Sequence, residues 1–201
     1  MGRKVRITKE MILQAAYELL DESGIGAVAI KAIAAKLDCS TQPVSWQFGS
    51  MQELKKELFQ YSIIQLYGSL AEEMTGKNSI DAFFATGVRY ISNACDHPNV
   101  FRFLNVDDPM ETIGENILGD NSIFTRQMNA SSVDMLARKY KVSKKKIGQA
   151  VQDVVIYTHG LSTMMIWDNY RLPKETACKM IYDMGIKLLS DIGIDLKEKK
   201  S

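Results

Sequence analysis

Apolar residues recur at helical spacing along most of the chain, and no stretch shows the strict alternation that is typical of a strand. The clearest helix is predicted between Thr8, a residue type that caps helix N-termini, and Gly24, a residue type that ends helices. Its apolar positions follow the i, i+3, i+4, i+7, i+8 pattern: Ile12, Ala15, Ala16, Leu19 and Leu20. The pattern predicts an all-α fold, because amphipathic helices without strands bury their apolar faces against one another.

Three further helices are predicted in the next part of the chain. A short helix over 30–37 and a very short one over 41–47 are separated by the polar turn 38–40. Ser50 and Glu53 form a capping box at the start of a fourth helix. The second half carries longer patterns, which predict helices over residues 79–95, 98–104, 123–140, 144–169 and 174–192. The stretch 105–119 has a mixed pattern.

The composition narrows the function classes without identifying one. The 201 residues are 46% hydrophobic and 24% charged, as in ordinary globular proteins. Lys and Arg number 25 and Asp and Glu number 24, and this formal charge of +1 excludes a polycation that coats nucleic acid. Any such binding must depend on local charge placement. No apolar run reaches the ~18 residues of a membrane span, so no membrane partner is expected.

The cysteines and histidines favour neither a metal centre nor covalent catalysis. Cys39, Cys95 and Cys178 are an odd number without a CxxC pair, which favours three thiols in a reducing cytoplasm. Only two histidines are present, and no carboxylate accompanies them at ligand spacing. Dinucleotide-binding, phosphate-loop, GxSxG and HExxH sequences are absent. We therefore expect that the chain is not an enzyme and needs no metal or cofactor.

The predicted helix pair over 30–47 has the geometry of a helix-turn-helix, whose second helix enters the major groove of duplex DNA. Val44 and Phe48 can brace the second helix from behind, which leaves a polar outer face: Thr41, Gln42, Ser45, Trp46 and Gln47. Gln42 and Gln47 suit the N6 and N7 atoms of adenine, and Thr41 suits a thymine methyl or a phosphate. Ser45 and Trp46 are expected at sugar and phosphate. Similar helix pairs also occur in proteins that touch no DNA.

Basic residues near this helix pair are candidates for contacts with DNA phosphates. They are the N-terminal arm Arg3, Lys4 and Arg6, and the lysines Lys31, Lys55 and Lys56. The first turn of the fourth helix, residues 50–52, also offers free backbone N–H groups to a phosphate. Residues 1–60 hold eight basic and seven acidic residues, so positive charge matters only where it gathers on one face.

The N-terminal segment resembles that of TetR-family transcriptional regulators over about residues 6–66, a third of the chain. The matching text is ILQAAYELL at 12–20, Gly24, KAIAAKL at 31–37, CSTQPV at 39–44 and FGSMQEL at 48–54. The resemblance implies an all-helical homodimer. It also implies a helix-turn-helix DNA-binding domain, set here at residues 1–50, and a helical ligand-binding and dimerisation domain, set at 51–201.

Three residues depart from the family pattern. Asp38 stands where the family usually has Gly, Ser45 where it has a phosphate-binding Tyr, and Met51 where it has Lys. A serine hydroxyl still bonds a phosphate, with a shorter reach, whereas Met51 keeps only its backbone N–H. The family's tyrosine contact is therefore not transferred to Ser45.

The second half resembles the family only locally, in Tyr157-Thr158-His159-Gly160-Leu161. In the family, the last two long helices pair with those of a second subunit. The last helix here has more apolar residues than one inward stripe needs: Met180, Ile181, Met184, Ile186, Leu188, Leu189 and Ile192. We expect a homodimer through these helices, and a fully internal helix is the alternative.

Methionine and aromatic residues in the second half are candidates to line a cavity for an apolar or amphipathic effector. The candidates are Phe84, Phe101, Phe103, Phe124, Met128, His159, Met164 and Trp167. Each of these residue types also fills ordinary cores, and His159 suits a hydrogen-bonded core position equally.

The sequence therefore predicts a cytoplasmic DNA-binding regulator, by family default a repressor. It would bind a near-palindromic duplex operator as a homodimer and be released by a small-molecule effector. The alternative is a dimer of the same fold that binds ligands or proteins and has lost operator binding.

Overall fold

The computed structural model describes residues 6–115, 126–167 and 172–194. These residues form α-helices and one 3₁₀ turn (Ile25–Ala27) without any strand, which confirms the predicted all-α fold. None of the described helices is long and apolar enough to cross a membrane. The helices are α1 (Lys9–Ser23), α2 (Ile30–Lys36), α3 (Thr41–Phe48), α4 (Met51–Tyr67), α5 (Leu70–Met74), α6 (Ser79–Asp96), α7 (Pro98–Asn105), α8 (Pro109–Thr112), α9 (Arg126–Tyr140), α10 (Lys144–Met165) and α11 (Lys174–Asp191).

The chain divides into two compact units. Among the described residues, the first comprises 6–68 and 97–115, and the second comprises 69–96, 126–167 and 172–194. The boundary between functional domains after residue 50 stays a prediction, because these units are defined by packing alone. All of α4 belongs to the first unit, and the chain returns to that unit at His97 because α7 packs against α1 and α4.

The first helix forms as its sequence pattern predicts. The Thr8 hydroxyl accepts a hydrogen bond from the Met11 backbone N–H at 3.2 Å, and the helix ends at Gly24, which has a φ of 79°. The inward residues are buried: Ile12, Ala15, Ala16 and Leu20. These contacts make α1 the element on which α2, α4 and α7 pack within the first unit.

Helix α7 completes the core of the first unit. The Asn99 side chain donates a hydrogen bond to the Asp21 carbonyl at 2.8 Å, and His97 Nδ1 lies 2.9 Å from Asp21 Oδ2. Phe101 and Phe103 are buried, and the Phe103 ring meets Phe59 of α4 edge to face at 5.5 Å. A segment distant in sequence thus supplies two of the largest side chains beneath the N-terminal helices.

The second unit is built on α6, α9, α10 and α11. One cluster gathers Ile80, Phe83, Phe84, Val154 and Leu189 with their neighbours, and another surrounds Ile91, Leu161, Ala177 and Ile181. Gly185 of α11 lies directly against the Phe84 ring, since a Cβ at Gly185 would fall 2.5 Å from Phe84 Cε1. This glycine allows α11 to approach the aromatic core of α6.

Candidate nucleic-acid interface

Helix α3 has one buried face and one exposed face, as predicted for a recognition helix. Val44 and Phe48 are buried beneath it, where they fix its orientation against the first unit. The side chains of Thr41, Gln42, Ser45 and Trp46 are exposed, and Trp46 is 82% exposed. An indole left almost entirely in water is unusual for a residue with so large an apolar surface. The exposed face combines hydroxyl and amide groups with this aromatic ring.

The turn before α3 adopts a conformation that favours glycine. Asp38 has a φ of 47°, in the left-handed region, where aspartate is tolerated better than most residues. The turn is tied back to α2 because the Cys39 N–H donates to the Ala34 carbonyl at 2.9 Å. Ser40 stands at the N-cap of α3, but its side chain makes no capping hydrogen bond. The turn therefore keeps its shape with Asp38 in place of glycine.

Gln47 differs from the other predicted contact residues of α3. It is half-buried, and its Nε2 donates a hydrogen bond to the Ile7 carbonyl at 3.0 Å. Lys9, the first residue of α1, has its ammonium 5.3 Å from the centroid of the Phe48 ring and 2.5 Å from Glu57 Oε1. Ile7 and Lys9 are thus attached to the C-terminal end of α3 and to α4.

The basic residues of the described segment 6–68 fall into two groups, those paired with a carboxylate and those that are not. Lys36 is paired with Glu18 and Glu22 at 3.1 and 3.0 Å, and Lys56 is paired with Glu53 and Glu115 at 3.1 and 2.7 Å. Lys9 is paired with Glu57. Within the described residues, no carboxylate lies within ion-pair distance of the other cations of residues 6–68, which are Arg6, Lys31 and Lys55. Arg6, Lys31 and Lys55 are three of the predicted phosphate partners, and that role stays a prediction. The predicted partners Arg3 and Lys4 lie outside the described residues. Lys56 is engaged with two carboxylates.

The N-terminus of α4 is capped by a side chain of the chain itself. The Ser50 hydroxyl accepts a hydrogen bond from the Glu53 N–H at 3.1 Å, as the capping-box pattern predicts. The Gln52 amide donates to the Ile113 carbonyl at 3.2 Å, within the same unit. Met51 adds no charge, so this helix end contributes only the backbone N–H groups that Ser50 leaves unbonded.

The predicted effector-binding residues do not form one group. Phe101 and Phe103 were assigned to the C-terminal domain, but they lie in the core of the first unit because α7 returns to it. Phe84 is buried in the second unit, stacked edge to face on Phe83 at 5.1 Å and closed in by Gly185. Both placements assign these rings to core packing.

The candidates on α10 are more accessible. His159 is half-buried and lies 2.8 Å, Nδ1 to hydroxyl oxygen, from Tyr90 of α6. Burial lowers the pKa of the His159 imidazole below its ordinary value, which favours the neutral ring. Met164 is half-buried against the cluster that contains Ile91 and Leu161, and Trp167, which follows α10, is exposed. Phe124 and the side chain of Met128 lie outside the described residues.

Two surface clefts of the described part of the chain are lined by other residues. One, of about 550 Å³, is bordered by Asp134, Met135, Arg138 and Lys139. The other, of about 350 Å³, is bordered by residues of α1 with Lys36, Leu37 and Tyr61. Among the described residues, no group of three or more His, Cys, Asp or Glu side chains is arranged to hold a metal ion.

Sequence reasoning missed two features of these surfaces. Lys9 joins α1 to α3 and α4, and the only signal in the sequence was its position directly after the Thr8 cap. Ile156 and Tyr182 are exposed large apolar residues of α10 and α11. Helical spacing alone does not distinguish them from the apolar residues of the same helices that are buried. Several of those residues pack inside the unit: Met180, Ile181, Ile186, Leu188, Leu189 and Ile192.

Comparison with known proteins gives one consistent match. The family model for bacterial regulatory proteins of the tetR family matches residues 12–58, which include α2, the turn and α3. The HTH-type transcriptional regulator YobS of Bacillus subtilis is 22% identical over 101 residues. That alignment covers 50% of this chain, and the chain spans about half, 53%, of that relative's length.

Solved structures share the fold over nearly the whole chain. A TetR-like transcriptional regulator from Rhodococcus sp. RHA1 superposes with a TM-score of 0.63 at 15% identity, covering 94% of this chain and 98% of that one. A TetR variant from Acinetobacter baumannii, in complex with minocycline, superposes with a TM-score of 0.55 at 13% identity, covering 92% and 96%. At these identities the likeness concerns the fold alone.

Proposed function

Because this chain belongs to the TetR family of transcriptional regulators, we propose that it binds a near-palindromic DNA operator as a homodimer and represses transcription. A small apolar or amphipathic effector releases it from the DNA. Members of the family are generally non-enzymatic DNA-binding proteins. The three cysteines, none of them in a disulfide, suit a regulator that acts in the reducing cytoplasm.

The observation that carries the proposal is the exposed polar face of α3 above a buried brace. Gln42 is suited to adenine, Thr41 to a thymine methyl or phosphate, and Trp46 with Ser45 to the sugar-phosphate backbone. Arg6, Lys31 and Lys55 supply charge for phosphates, since no carboxylate neutralises them within the described residues. Each neutralised phosphate releases counterions and strengthens binding.

The homodimer is proposed from α10 and α11. Ile156 is 52% exposed and Tyr182 is 45% exposed, although both are large apolar side chains on helices that also contribute to the core. A second copy of the same helices would remove these side chains from water. In such a dimer the two copies of α3 must stand about one helical turn of DNA apart, ~34–36 Å, or a multiple of it.

Effector binding is proposed for the second unit, near α10. His159 and the Tyr90 hydroxyl, 2.8 Å apart, offer polar groups in the same unit as the half-buried Met164. Trp167 at the end of α10, together with Phe124 and Met128, remains a candidate for the lining. The effector would release DNA only through a difference in affinity between the DNA-binding and non-binding conformers.

A second function is favoured by the departures at the DNA-facing surface. Ser45 and Met51 lack the phosphate-binding groups that the family usually has at these positions. A chain with this fold that had lost operator binding would act as a ligand-binding or protein-binding dimer. The two functions differ in one measurable property, the salt dependence of DNA binding.

The test is fluorescence anisotropy with duplex DNA from upstream of the gene that encodes the protein. We expect saturable binding that weakens on the order of 1,000-fold between about 50 and 200 mM salt. Lys31→Ala should reduce the slope of log K against log salt by about one. Lys77→Ala, an exposed lysine of the second unit, is the matched control and should leave the slope unchanged. A folded dimer that binds no such fragment at low salt contradicts the proposal and favours the second function.

A further inference from the structure

The N-terminal arm and the recognition helix are joined by a side chain that was expected to bind a base. Gln47 Nε2 donates to the Ile7 carbonyl at 3.0 Å across 40 residues of sequence. The other polar residues on the outer face of α3 are exposed, whereas Gln47 is half-buried. Its amide is therefore already oriented by the chain before any DNA is present.

A second contact holds the same junction. The Lys9 ammonium lies over the Phe48 ring at 5.3 Å and pairs with Glu57 of α4 at 2.5 Å. Phe48 and Gln47 are adjacent, so the two contacts attach Ile7 and Lys9 to the same end of α3. Arg6, the residue before Ile7, is exposed and has no carboxylate within ion-pair distance among the described residues.

We propose that Gln47 is a positioning residue. Its hydrogen bond holds Ile7 beside α3, so that the preceding residue, Arg6, meets a DNA phosphate next to the groove that α3 enters. This inference rests on the proposed operator binding. The partner is the phosphate backbone, and Gln47 acts through Arg6 instead of recognising a base.

The physical reason is the cost of ordering a flexible arm. Fixing one residue's backbone costs roughly 1–2 kcal/mol, which would offset much of the gain from a single phosphate contact. The hydrogen bond to Ile7 orders the backbone next to Arg6 during folding, before DNA binds. Arg6 then loses less conformational entropy when it binds its phosphate. A base-contacting Gln47 would instead have to place its amide oxygen and nitrogen against adenine.

The first test needs no DNA. Trypsin cleaves after Arg6, and cleavage requires release of the arm from α3. Gln47→Met keeps the side-chain length but removes the donor. Since one hydrogen bond changes an equilibrium about two- to tenfold, cleavage of the Arg6–Ile7 bond should become faster by that factor. Gln42→Met, the matched control on the same helix, should leave the rate unchanged.

The second test uses the full chain and its operator in a double-mutant cycle of Gln47→Met and Arg6→Ala. Each single variant should weaken binding about two- to tenfold and lower the salt slope, by about one for Arg6→Ala. The double variant should be little weaker than Arg6→Ala alone, because Gln47 acts through Arg6. A merely structural role would leave the salt slope unchanged.

The outcomes separate this inference from the proposed function. If wild-type protein binds DNA but Gln47→Met changes the preferred base at one operator position, Gln47 recognises a base and the inference is wrong. Unchanged cleavage of the Arg6–Ile7 bond, or fully additive effects in the cycle, would overturn it as well. If wild-type protein binds no operator while trypsin shows the arm held by Gln47, the proposed function fails and the arm attachment stands.

Discussion

The outer face of α3 and the outer faces of α10 and α11 are both exposed, but they differ in composition. On α3, hydroxyl and amide groups surround one aromatic ring, Trp46, and the apolar residues lie beneath. On α10 and α11, Ile156 and Tyr182 project beside polar residues such as Gln152 and Asp183. The first surface suits a hydrated, charged groove, and the second suits an apolar partner such as another copy of itself.

This difference teaches that exposure alone does not identify a partner. Trp46 is more exposed than Ile156, but it is a single apolar side chain among uncharged polar ones, on a short helix that is braced from behind. Ile156 projects from a helix of 22 residues whose opposite face already fills the core. What surrounds an exposed apolar side chain, and how its helix is supported, decides which partner fits.

The largest effect should come from removing the brace under α3. Phe48→Ala deletes a buried ring and should lower the free energy of unfolding by about 3–5 kcal/mol, measured by urea denaturation. Trp46→Ala, two residues away on the exposed face, should change that free energy by less than about 0.5 kcal/mol while it weakens DNA binding. Equal destabilisation by the two variants would show that Trp46 is packed against the protein.

Next in size is the loss of the proposed dimer. Ile156→Asp would place an unpaired charge from each copy in the interface, and should weaken dimerisation at least about 100-fold, or ~3 kcal/mol. Analytical ultracentrifugation would detect monomer at concentrations where wild type is dimeric. Lys139→Gln, which also lowers the charge by one at an exposed position of α9, is the control. A dimer unaffected by Ile156→Asp would place the interface elsewhere.

A smaller effect is expected from the tight approach of α11 to α6. Gly185→Ala brings a methyl group against the Phe84 ring, and such overpacking costs about 1–3 kcal/mol. Gly148→Ala, also within a helix but with open space around its Cα, should instead stabilise by about 0.5–1 kcal/mol. Thermal unfolding of both variants measures the difference. Equal gains would mean that Phe84 moves aside freely and that the core around it is loose.

The smallest effect concerns pH and His159. Burial lowers the pKa of this imidazole in the folded protein, so the unfolded chain binds its proton at a higher pH. The contribution of the neutral His159 ring to the free energy of unfolding is therefore fully present above the unfolded pKa of about 6.5. It is lost as pH falls towards the folded pKa. His159→Gln should flatten the decline of unfolding free energy below that pH. Urea denaturation at several pH values measures this decline. An unchanged slope of unfolding free energy against pH in the variant would contradict the prediction.

The N-terminal elements could be predicted almost completely because their signals are local. Thr8, Gly24 and Ser50 act as caps or stops within one turn of the residues they serve, and Val44 and Phe48 face inward by helical spacing alone. The exposed contact face of α3 follows from the same periodicity. Such features need no knowledge of distant parts of the chain.

The effector-lining residues were less predictable, since core and cavity use the same residue types. From their position in the sequence, Phe101 and Phe103 were expected in the C-terminal domain. Only the packing of α7 against α1 and α4 places them in the first unit. Likewise, the hydrogen bond from Gln47 to Ile7 joins residues 40 positions apart. No local pattern records a contact of that separation.

The amino-acid sequence by itself determined the helices, their caps and the polar outer face of α3, because each depends on interactions within a few residues. The tertiary structure alone decided which cations remain unpaired, which aromatic rings are core, and that the arm is attached to α3. Those properties depend on which distant side chains meet, and the spacing of residues along a chain does not specify that.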